Sequence, residues 1–291
     1  MTIFISGASG YLGSHLVKSL SKTHHVVALI RTSSSKLRLQ DFDFDVEKVY
    51  LDEEGALEKA FQTQTPEMVI NAAALYGRKG ESVSALVEAN IDFPTRLLAL
   101  ASKYKSKAFI HTGTSLPDDI SPYALTKNTF VKLAQFNAQG SLKFINIALE
   151  HFYGPEDDPS KFTTFVINSC LKNDDLQLTS GKQQRDFIYI DDVISAYEII
   201  ISNIDTLAAF EHIPVGSGES PTVREFVEMI HAFSHSKSKL EFGAIDMREN
   251  ELMYSCAYTI RLKGLGWSCN YSVEQGVKAV IEHETAKLKR S

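Results

Sequence analysis

The stretch ISGASGYLGSHL, residues 5–16, places three glycines at intervals of three, directly after a short apolar run. Gly7 can make a tight turn, Gly10 lets backbone amides approach an anion, and Gly13 permits close packing of a following helix. The start of such a helix adds N–H groups and a positive dipole, which suit a pyrophosphate. Three glycines alone also fit a flexible loop, but a strand before them and a helix after them favour a dinucleotide-binding turn.

Short apolar runs alternate with amphipathic segments through the first two-thirds of the chain. Because continuous apolar strands separated by helices indicate a parallel sheet, we predict an α/β fold with a doubly wound Rossmann-type sheet. After residue 153 the pattern loosens, which indicates a smaller C-terminal substrate lobe. We expect the dinucleotide-binding domain at 1–153, rejoined by about 186–210, and the lobe at 154–185 and 211–291. The six predicted strands are 2–6, 25–30, 47–51, 67–71, 107–112 and 143–149.

Composition excludes several classes of protein. The 291 residues carry 30 basic and 36 acidic side chains, a net charge of −6, so nothing favours a nucleic-acid partner. Three widely spaced cysteines fit a reducing cytosol, and no Cys-x-x-Cys or His-x-x-x-His pattern predicts a metal site. We find no apolar run long enough to span a membrane and no signal peptide at the start, so we expect a cytoplasmic protein without a membrane partner.

A cation follows the second predicted strand, where NAD-binding proteins usually carry an acidic residue. Arg31 occupies that place, and Ser33, Lys36 and Arg38 come just after it. A guanidinium can bind a 2′-phosphate with two hydrogen bonds, so the substitution favours NADP(H) over NAD(H). A solvated basic loop without a ligand is the alternative.

The stretch SPYALTK, residues 121–127, places a tyrosine four residues before a lysine, on one face of a helix. A nicotinamide carries hydride but cannot move the accompanying proton, so ketone reduction needs a general acid. We predict Tyr123 in that role, with Lys127 lowering its pKa and holding the nicotinamide ribose. Thr114, in the preceding HTGTS, is predicted to bind the substrate oxygen; Thr112 and Ser115 are weaker candidates. On its own, the Tyr–Lys pair also fits an ordinary solvated helix start.

Together these residues resemble the extended short-chain dehydrogenase/reductase family, in its NAD-dependent epimerase/dehydratase group, along essentially the whole chain. Within it, a closer resemblance is to the CDP-abequose and CDP-paratose-type 4-ketoreductases, in LEHFYGPEDDPSKF (149–162), LEFGAIDMRENELMYS (240–255) and LKGLGW (262–267). The segments that carry the family resemblance are GASGYLG (7–13), NAAA (71–74), HTGTS (111–115), YALTK (123–127), HFYGP (151–155) and RDFIYIDDV (185–193).

The resemblance implies further site residues. Arg185 and Arg248 match the arginines that face the pyrophosphate of a nucleotide sugar, although a surface ion pair also explains Arg185. Ala148 and His151 stand where the family usually has Arg and Asn. His151 and Glu150 either contact the sugar in their place or form a buried hydrogen-bonded pair at the strand end. The predicted cofactor-binding residues are Gly7, Ser9, Gly10, Tyr11, Leu12, Gly13, Arg31, Ser33, Asp52, Ala72, Ala73, Ala74, Asn90 and Lys127; the predicted substrate-binding residues are Thr114, Tyr123, His151, Arg185 and Arg248.

The resemblance implies NADPH-dependent reduction of the C4 ketone of a nucleotide-linked deoxy sugar, for surface polysaccharide. Dehydratases of the family carry Asp and Glu after the threonine that ends strand five, and here Ser115 and Leu116 stand there, which removes their acid and base. The alternatives are a 4-epimerase that retains NAD and a non-catalytic NADP sensor. Helices around 83–104 and 123–139 resemble those of a family dimer interface, so we expect a homodimer, although their apolar faces also fit a core.

Overall fold

The computed structural model describes residues 1–40, 42, 46–137 and 142–289, and it divides the chain into two compact units. The first unit comprises Met1–Ala148 and Tyr197–Ile213, and the second comprises Leu149–Ala196 and Pro214–Ser291. The first boundary therefore falls at Ala148 rather than at 153, and the returning segment is 197–213 rather than 186–210. The reason is strand pairing: 151–153 and 187–189 pair with each other inside the second unit.

A seven-stranded parallel sheet with flanking helices forms the first unit, as predicted. Its strands are β1 (Thr2–Ser6), β2 (His25–Ile30), β3 (Glu47–Tyr50), β4 (Met68–Asn71), β5 (Ala108–Thr112), β6 (Lys143–Leu149) and β10 (Phe210–Val215), in the order β10-β6-β5-β4-β1-β2-β3. The sequence reasoning missed β10, which lies beside β6 and reaches the sheet only after the chain has passed through the second unit.

The helices of the first unit are α1 (Tyr11–Leu20), α2 (Leu37–Gln40), α3 (Ala56–Gln64), α4 (Val83–Val87), α5 (Phe93–Lys103) and α6 (Pro122–Asn137). Their apolar residues continue the core of the sheet. Phe61, Leu97 and Phe130, from α3, α5 and α6, join a buried cluster with Phe4 and Phe109 of β1 and β5. Burial of such rings supplies much of the stability that fixes the strand ends in place.

The second unit contains β7 (His151–Tyr153), β8 (Leu176–Leu178), β9 (Phe187–Tyr189) and β11 (Leu240–Phe242), and the helices α7 (Phe162–Lys172), α8 (Ile190–Ser202), α9 (Val223–Phe233), α10 (Ile260–Gly264) and α11 (Val273–Leu288). β7 pairs with β9 and β8 with β11, both in parallel. Helix α8 continues past Ala196 into the first unit. Within the described ranges, no helix has both the length and the apolar character that a membrane span requires.

Candidate active site

The glycine turn between β1 and α1 is shaped as a dinucleotide cradle. Gly7 has φ +69°, and a Cβ there would lie 2.6 Å from the backbone nitrogen of Ala73. A Cβ on Gly13 would lie 2.1 Å from the carbonyl oxygen of Gly7, so the helix approaches the turn as closely as backbone allows. Gly10 is the N-cap of α1 and, having no side chain, makes no capping hydrogen bond to the first N–H groups of that helix. These groups fit the pyrophosphate of a dinucleotide.

Several of the predicted cofactor-binding residues lie in or next to the glycine turn. Tyr11 and Leu12 are buried at the start of α1, and Ser9 is half-buried in the turn. Ala72, Ala73 and Ala74 follow β4, where the Ala72 N–H donates to the carbonyl of Ser6 at 3.1 Å. The structure therefore brings Ala72 and Ala73 against the glycine turn that Ser9, Tyr11 and Leu12 belong to or follow, and Ala74 comes next in the chain.

The end of β2 presents basic side chains to solvent. Arg31 and Ser33 are exposed, and the hydroxyl of Ser34 accepts from the Arg31 N–H at 3.3 Å. The guanidinium of Arg38 lies 5.6 Å from the ring centre of Tyr11, at the first residue of α1. The loop after β2 thus places cationic groups next to the helix that would bind the pyrophosphate.

Asp52 lies beside these cations but has protein partners. Its carboxylate accepts from the N–H of Thr32 at 2.9 Å and from the Thr32 hydroxyl. These bonds, with a further contribution from the charge of Arg31, hold the pKa of Asp52 below its usual value. Asp52 therefore fixes the residue after Arg31, and its predicted contact with a cofactor stays a prediction.

The predicted catalytic residues come from β5 and α6. Thr114 lies two residues beyond β5 and is buried, and its Oγ1 accepts from the N–H of Leu116 at 3.2 Å. Tyr123 is the second residue of α6 and is half-buried. Lys127, one turn later, is 1% exposed, and burial lowers its pKa to about 7. The carboxyl end of a parallel strand and the start of the next helix form the usual ligand-binding edge of such a sheet.

The electrostatics of Tyr123 differ from the sequence prediction, which had Lys127 lowering its pKa. In the protein alone, burial raises the pKa of Tyr123 well above its usual value, the nearby Tyr76 raises it further, and Arg78 opposes both. Lys127 is not among the groups that shift it. The physical reason is that Lys127 is itself buried: because its pKa is lowered to about 7, its amine is already neutral at the much higher pH where Tyr123 ionises.

Asn90 occupies a five-residue π-helical turn, Glu88–Asp92, between α4 and α5. Its Oδ1 accepts from the N–H of Leu75 at 2.9 Å, and its Nδ2 donates to the carbonyl of Leu75 at 2.9 Å and to Oγ1 of Thr126 at 3.0 Å. Both amide protons are therefore used within the protein. Asn90 joins the loop after β4 to α6, and its predicted contact with a cofactor remains untested.

Sequence reasoning missed a series of hydrogen bonds between buried polar side chains at this end of the sheet. Ser6 Oγ donates to Asn71 Oδ1 at 2.5 Å, and the Asn71 amide donates to His111 Nδ1 at 3.0 Å. Burial, with a further contribution from Lys127, lowers the pKa of His111 well below its usual value, so the ring is neutral. These hydrogen bonds link the carboxyl ends of β1, β4 and β5. Each of the three residues is polar and lies at the last or next-to-last position of an apolar strand.

Among the second-unit residues considered for substrate binding, Glu150 and Arg185 bind other side chains of the protein. Both carboxylate oxygens of Glu150 accept from Ser255 Oγ, at 2.9 and 2.8 Å, and Oε2 lies 3.8 Å from Nδ1 of His151. Arg185 is buried and donates to Glu251 Oε1 at 2.5 Å. Arg248 is exposed. Glu150 is therefore hydrogen-bonded to Ser255, and at 3.8 Å it does not form the hydrogen-bonded pair with His151 that was the alternative. Arg185 forms an ion pair that is buried rather than on the surface.

The cradle, the polar strand ends and the Tyr–Lys pair define a dinucleotide-binding α/β fold of the oxidoreductase type. The model of the NAD dependent epimerase/dehydratase family matches residues 3–216, and the chain belongs to that family. This confirms the predicted family and makes a nicotinamide cofactor the expected one.

Curated relatives extend over almost the whole chain. CDP-abequose synthase of Salmonella typhimurium is 32% identical over 297 aligned residues, which cover 96% of this chain and 97% of the relative. The CDP-abequose synthase of Salmonella muenchen is 34% identical, with 96% of each chain covered. The predicted closer resemblance to this group is therefore confirmed.

Solved structures share the fold. UDP-glucuronic acid 4-epimerase from Bacillus cereus, in complex with UDP-glucuronic acid and NAD, superimposes with a TM-score of 0.88 at 23% identity, covering 99% of this chain and all of the other. UDP-glucose 4-epimerase from Thermotoga maritima gives 0.87 at 23% identity with the same coverage. These likenesses confirm the Rossmann-type fold.

Proposed function

We propose that this protein reduces the C4 ketone of a nucleotide-linked 4-keto-deoxyhexose with NADPH, with a CDP- or dTDP-linked sugar as the favoured substrate, for surface polysaccharide synthesis. The observation that carries the proposal is the likeness to CDP-abequose synthases along 96% of the chain. The Tyr123–Lys127 pair on α6 and the buried Thr114 after β5 support it, because these are the groups that a ketone reduction requires.

When bound, the reduced nicotinamide supplies the hydride that reaches C4 of the sugar. Tyr123 donates its proton to the oxygen that becomes the new hydroxyl. Its raised pKa keeps the phenol protonated at neutral pH, which is the form that a reduction consumes. Thr114 orients that oxygen through its hydroxyl, and Lys127 holds the nicotinamide ribose.

NADP(H) rather than NAD(H) is proposed as the cofactor because of the charge at the end of β2. Arg31 is exposed there, Ser33 offers a hydroxyl, and Arg38 lies near the start of α1. These groups suit a 2′-phosphate, whereas an acidic residue would suit the ribose hydroxyls.

The second unit is proposed to bind the nucleotide sugar. Arg185 and Arg248 would hold its diphosphate and His151 would contact the sugar. Because Arg185 is buried and already paired with Glu251, a diphosphate that binds Arg185 has to share or displace that carboxylate.

The test presents CDP-, dTDP- and GDP-linked 4-keto-6-deoxy and 3,6-dideoxy sugars with NADPH and follows the loss of absorbance at 340 nm. We expect one NADPH consumed for each new hydroxyl, with product stereochemistry read by NMR. Tyr123→Phe, which keeps the ring and removes the proton, should lower kcat about 100-fold or more. Turnover without net consumption of NADPH identifies the 4-epimerase instead, and cellular function that survives Tyr123→Phe identifies the NADP sensor.

A homodimer and a cytoplasmic location are part of the proposal. Exposed apolar side chains on α4 and α6 support the dimer; they are Val83, Val87, Leu125, Leu133 and Phe136.

A further inference from the structure

The loop after β4 carries a tyrosine and an arginine that the proposed mechanism does not use. Its sequence, Tyr76-Gly77-Arg78-Lys79-Gly80, has a left-handed glycine on each side of the two basic residues, with φ +73° at Gly77 and +79° at Gly80. Both glycines adopt this conformation at little cost, whereas other residues would be strained. The loop therefore has a defined shape in which Arg78 and Lys79 occupy the tip.

Asn90 fixes the base of this loop against the helix that carries Tyr123. The Asn90 amide binds both the N–H and the carbonyl of Leu75, the residue before Tyr76, and also Oγ1 of Thr126. Thr126 in turn donates to the carbonyl of Tyr123 at 2.9 Å. A short chain of hydrogen bonds thus connects the backbone at Leu75 to the backbone at Tyr123.

The result of this connection is a stack of aromatic rings. The Tyr76 and Tyr123 ring centres lie 4.7 Å apart with an interplanar angle of 27°. The guanidinium carbon of Arg78 lies 4.8 Å from the centre of the Tyr76 ring. Arg78 therefore contacts the Tyr76 ring, and the Tyr76 ring contacts the Tyr123 ring. The cation lies at the exposed end of this series.

The surroundings of Tyr123 shift its pKa in opposite directions. Burial and Tyr76 raise the pKa of Tyr123, and Arg78 lowers it. Among the described residues, Arg78 is the cation that shifts Tyr123 toward the phenolate, a role that the sequence had given to Lys127.

We propose that Tyr76 and Arg78 are positioning residues for Tyr123: the Tyr76 ring holds the Tyr123 ring, and the Arg78 guanidinium stabilises the charge left on the Tyr123 oxygen. The inference rests on the proposed ketone reduction. In that step the Tyr123 O–H bond breaks, its proton passes to the alkoxide oxygen on C4, and the phenolate is later reprotonated by solvent. Hydride from NADPH balances the reduction. A cation near the phenolate lowers the energy of the state in which the proton has moved.

The first test needs no substrate. Tetranitromethane nitrates phenolates, so the rate of nitration at residue 123, read by mass spectrometry at pH 9, follows the fraction of Tyr123 that is ionised. We expect Arg78→Gln to slow nitration about threefold or more and Arg78→Lys to restore most of the rate. Lys79→Gln is the matched control, because it removes an equal charge from the adjacent exposed position, and it should leave the rate unchanged. Equal rates in Arg78→Gln and Lys79→Gln overturn the role of Arg78.

The second test uses the reaction. Arg78→Gln should lower kcat about tenfold and leave KM for the nucleotide sugar within about twofold, since the charge is needed only as the proton leaves. Tyr76→Leu, which removes the stack, should also lower kcat about tenfold, whereas Tyr76→Phe should keep it within about threefold. A loss confined to KM, or full activity in Tyr76→Leu, contradicts the inference. If the wild-type protein consumes no NADPH with any keto sugar, the proposed function fails, and the nitration rates still decide the role of Arg78.

Discussion

At the scale of single residues, Lys127 shows how burial changes the chemistry that a sequence pattern predicts. The spacing of Tyr123 and Lys127 on one helix face was read correctly, and both lie on α6. The pattern could not reveal that the lysine is almost entirely removed from solvent, because that depends on packing across β5 and α6. A buried amine loses charge near neutral pH and acts less strongly on its neighbours.

The buried Lys127 makes stability depend on pH. Its pKa is about 7 in the folded protein and near the ordinary lysine value of 10.5 when the chain is unfolded, so between these values the unfolded chain binds more protons. Stability contributed by this position therefore rises with pH, by up to about 1.4 kcal/mol for each pH unit. We expect the free energy of unfolding of wild type, minus that of Lys127→Met, to increase from pH 7 to 9.5 in urea titrations. If this difference in the free energy of unfolding does not change with pH, the Lys127 amine is in contact with water.

Arg31 gives a second prediction at this scale. Arg31→Gln should weaken NADPH binding about 10- to 100-fold, because one charge-assisted contact with a phosphate is lost. NADH lacks that phosphate and serves as the internal control, with affinity expected to change less than about twofold. Nicotinamide fluorescence on titration measures both without substrate. Equal losses for the two cofactors would mean that Arg31 does not contact a 2′-phosphate.

Elements with a strong apolar pattern were the most predictable part of the molecule. The six predicted strands of the sheet agree with β1 to β6 within a residue at each end. The segment 83–104 was read as one amphipathic stretch, but the π-helical turn at Glu88–Asp92 divides it into α4 and α5. Periodicity cannot reveal that turn, where Asn90 binds Leu75 and Thr126, which lie 15 and 36 positions away in the chain.

Packing of α1 on the glycine turn gives a prediction at the element scale. Gly13→Ala should lower the free energy of unfolding by about 3 kcal/mol, because its Cβ would lie 2.1 Å from the Gly7 carbonyl oxygen and the helix would have to move. Gly264→Ala in α10 is the matched control, since a Cβ there meets nothing within 4 Å. Urea unfolding of both variants measures the difference. A Gly13→Ala protein as stable as the control would mean that α1 can move away without cost.

At the scale of the whole molecule, some residues of the candidate site could be predicted from the sequence and others could not. The predictable residues lie in short segments in which residue type and spacing indicate the role. They are the glycine turn, Thr114, Tyr123 and Lys127. Tyr76 and Arg78 lie in a loop without periodicity, and the ring stack with Tyr123 and the bonds of Asn90 relate them to α6, which the sequence alone does not show. The ion pair between Arg185 and Glu251 likewise joins positions far apart in the chain.

Assembly is the prediction that belongs to the whole molecule. Phe136 is 81% exposed on α6, with Leu125 exposed on the same helix, and water contact with such side chains is unfavourable. We expect a dimer in light scattering at micromolar concentration and a monomer after Leu125→Glu with Phe136→Glu. Leu288→Glu on α11 alters an exposed leucine of the second unit and should leave the dimer intact. A wild-type monomer would refute the homodimer.

The two left-handed glycines around Arg78 and Lys79 have a consequence for how such enzymes diversify. They anchor a solvent-facing tip whose side chains can be exchanged without disturbing the apolar interior. Under the proposed mechanism, a mutation at Arg78 can therefore adjust the acidity of Tyr123 while the scaffold stays intact. Natural variation there would let related proteins adapt to ketones of different reactivity in single evolutionary steps.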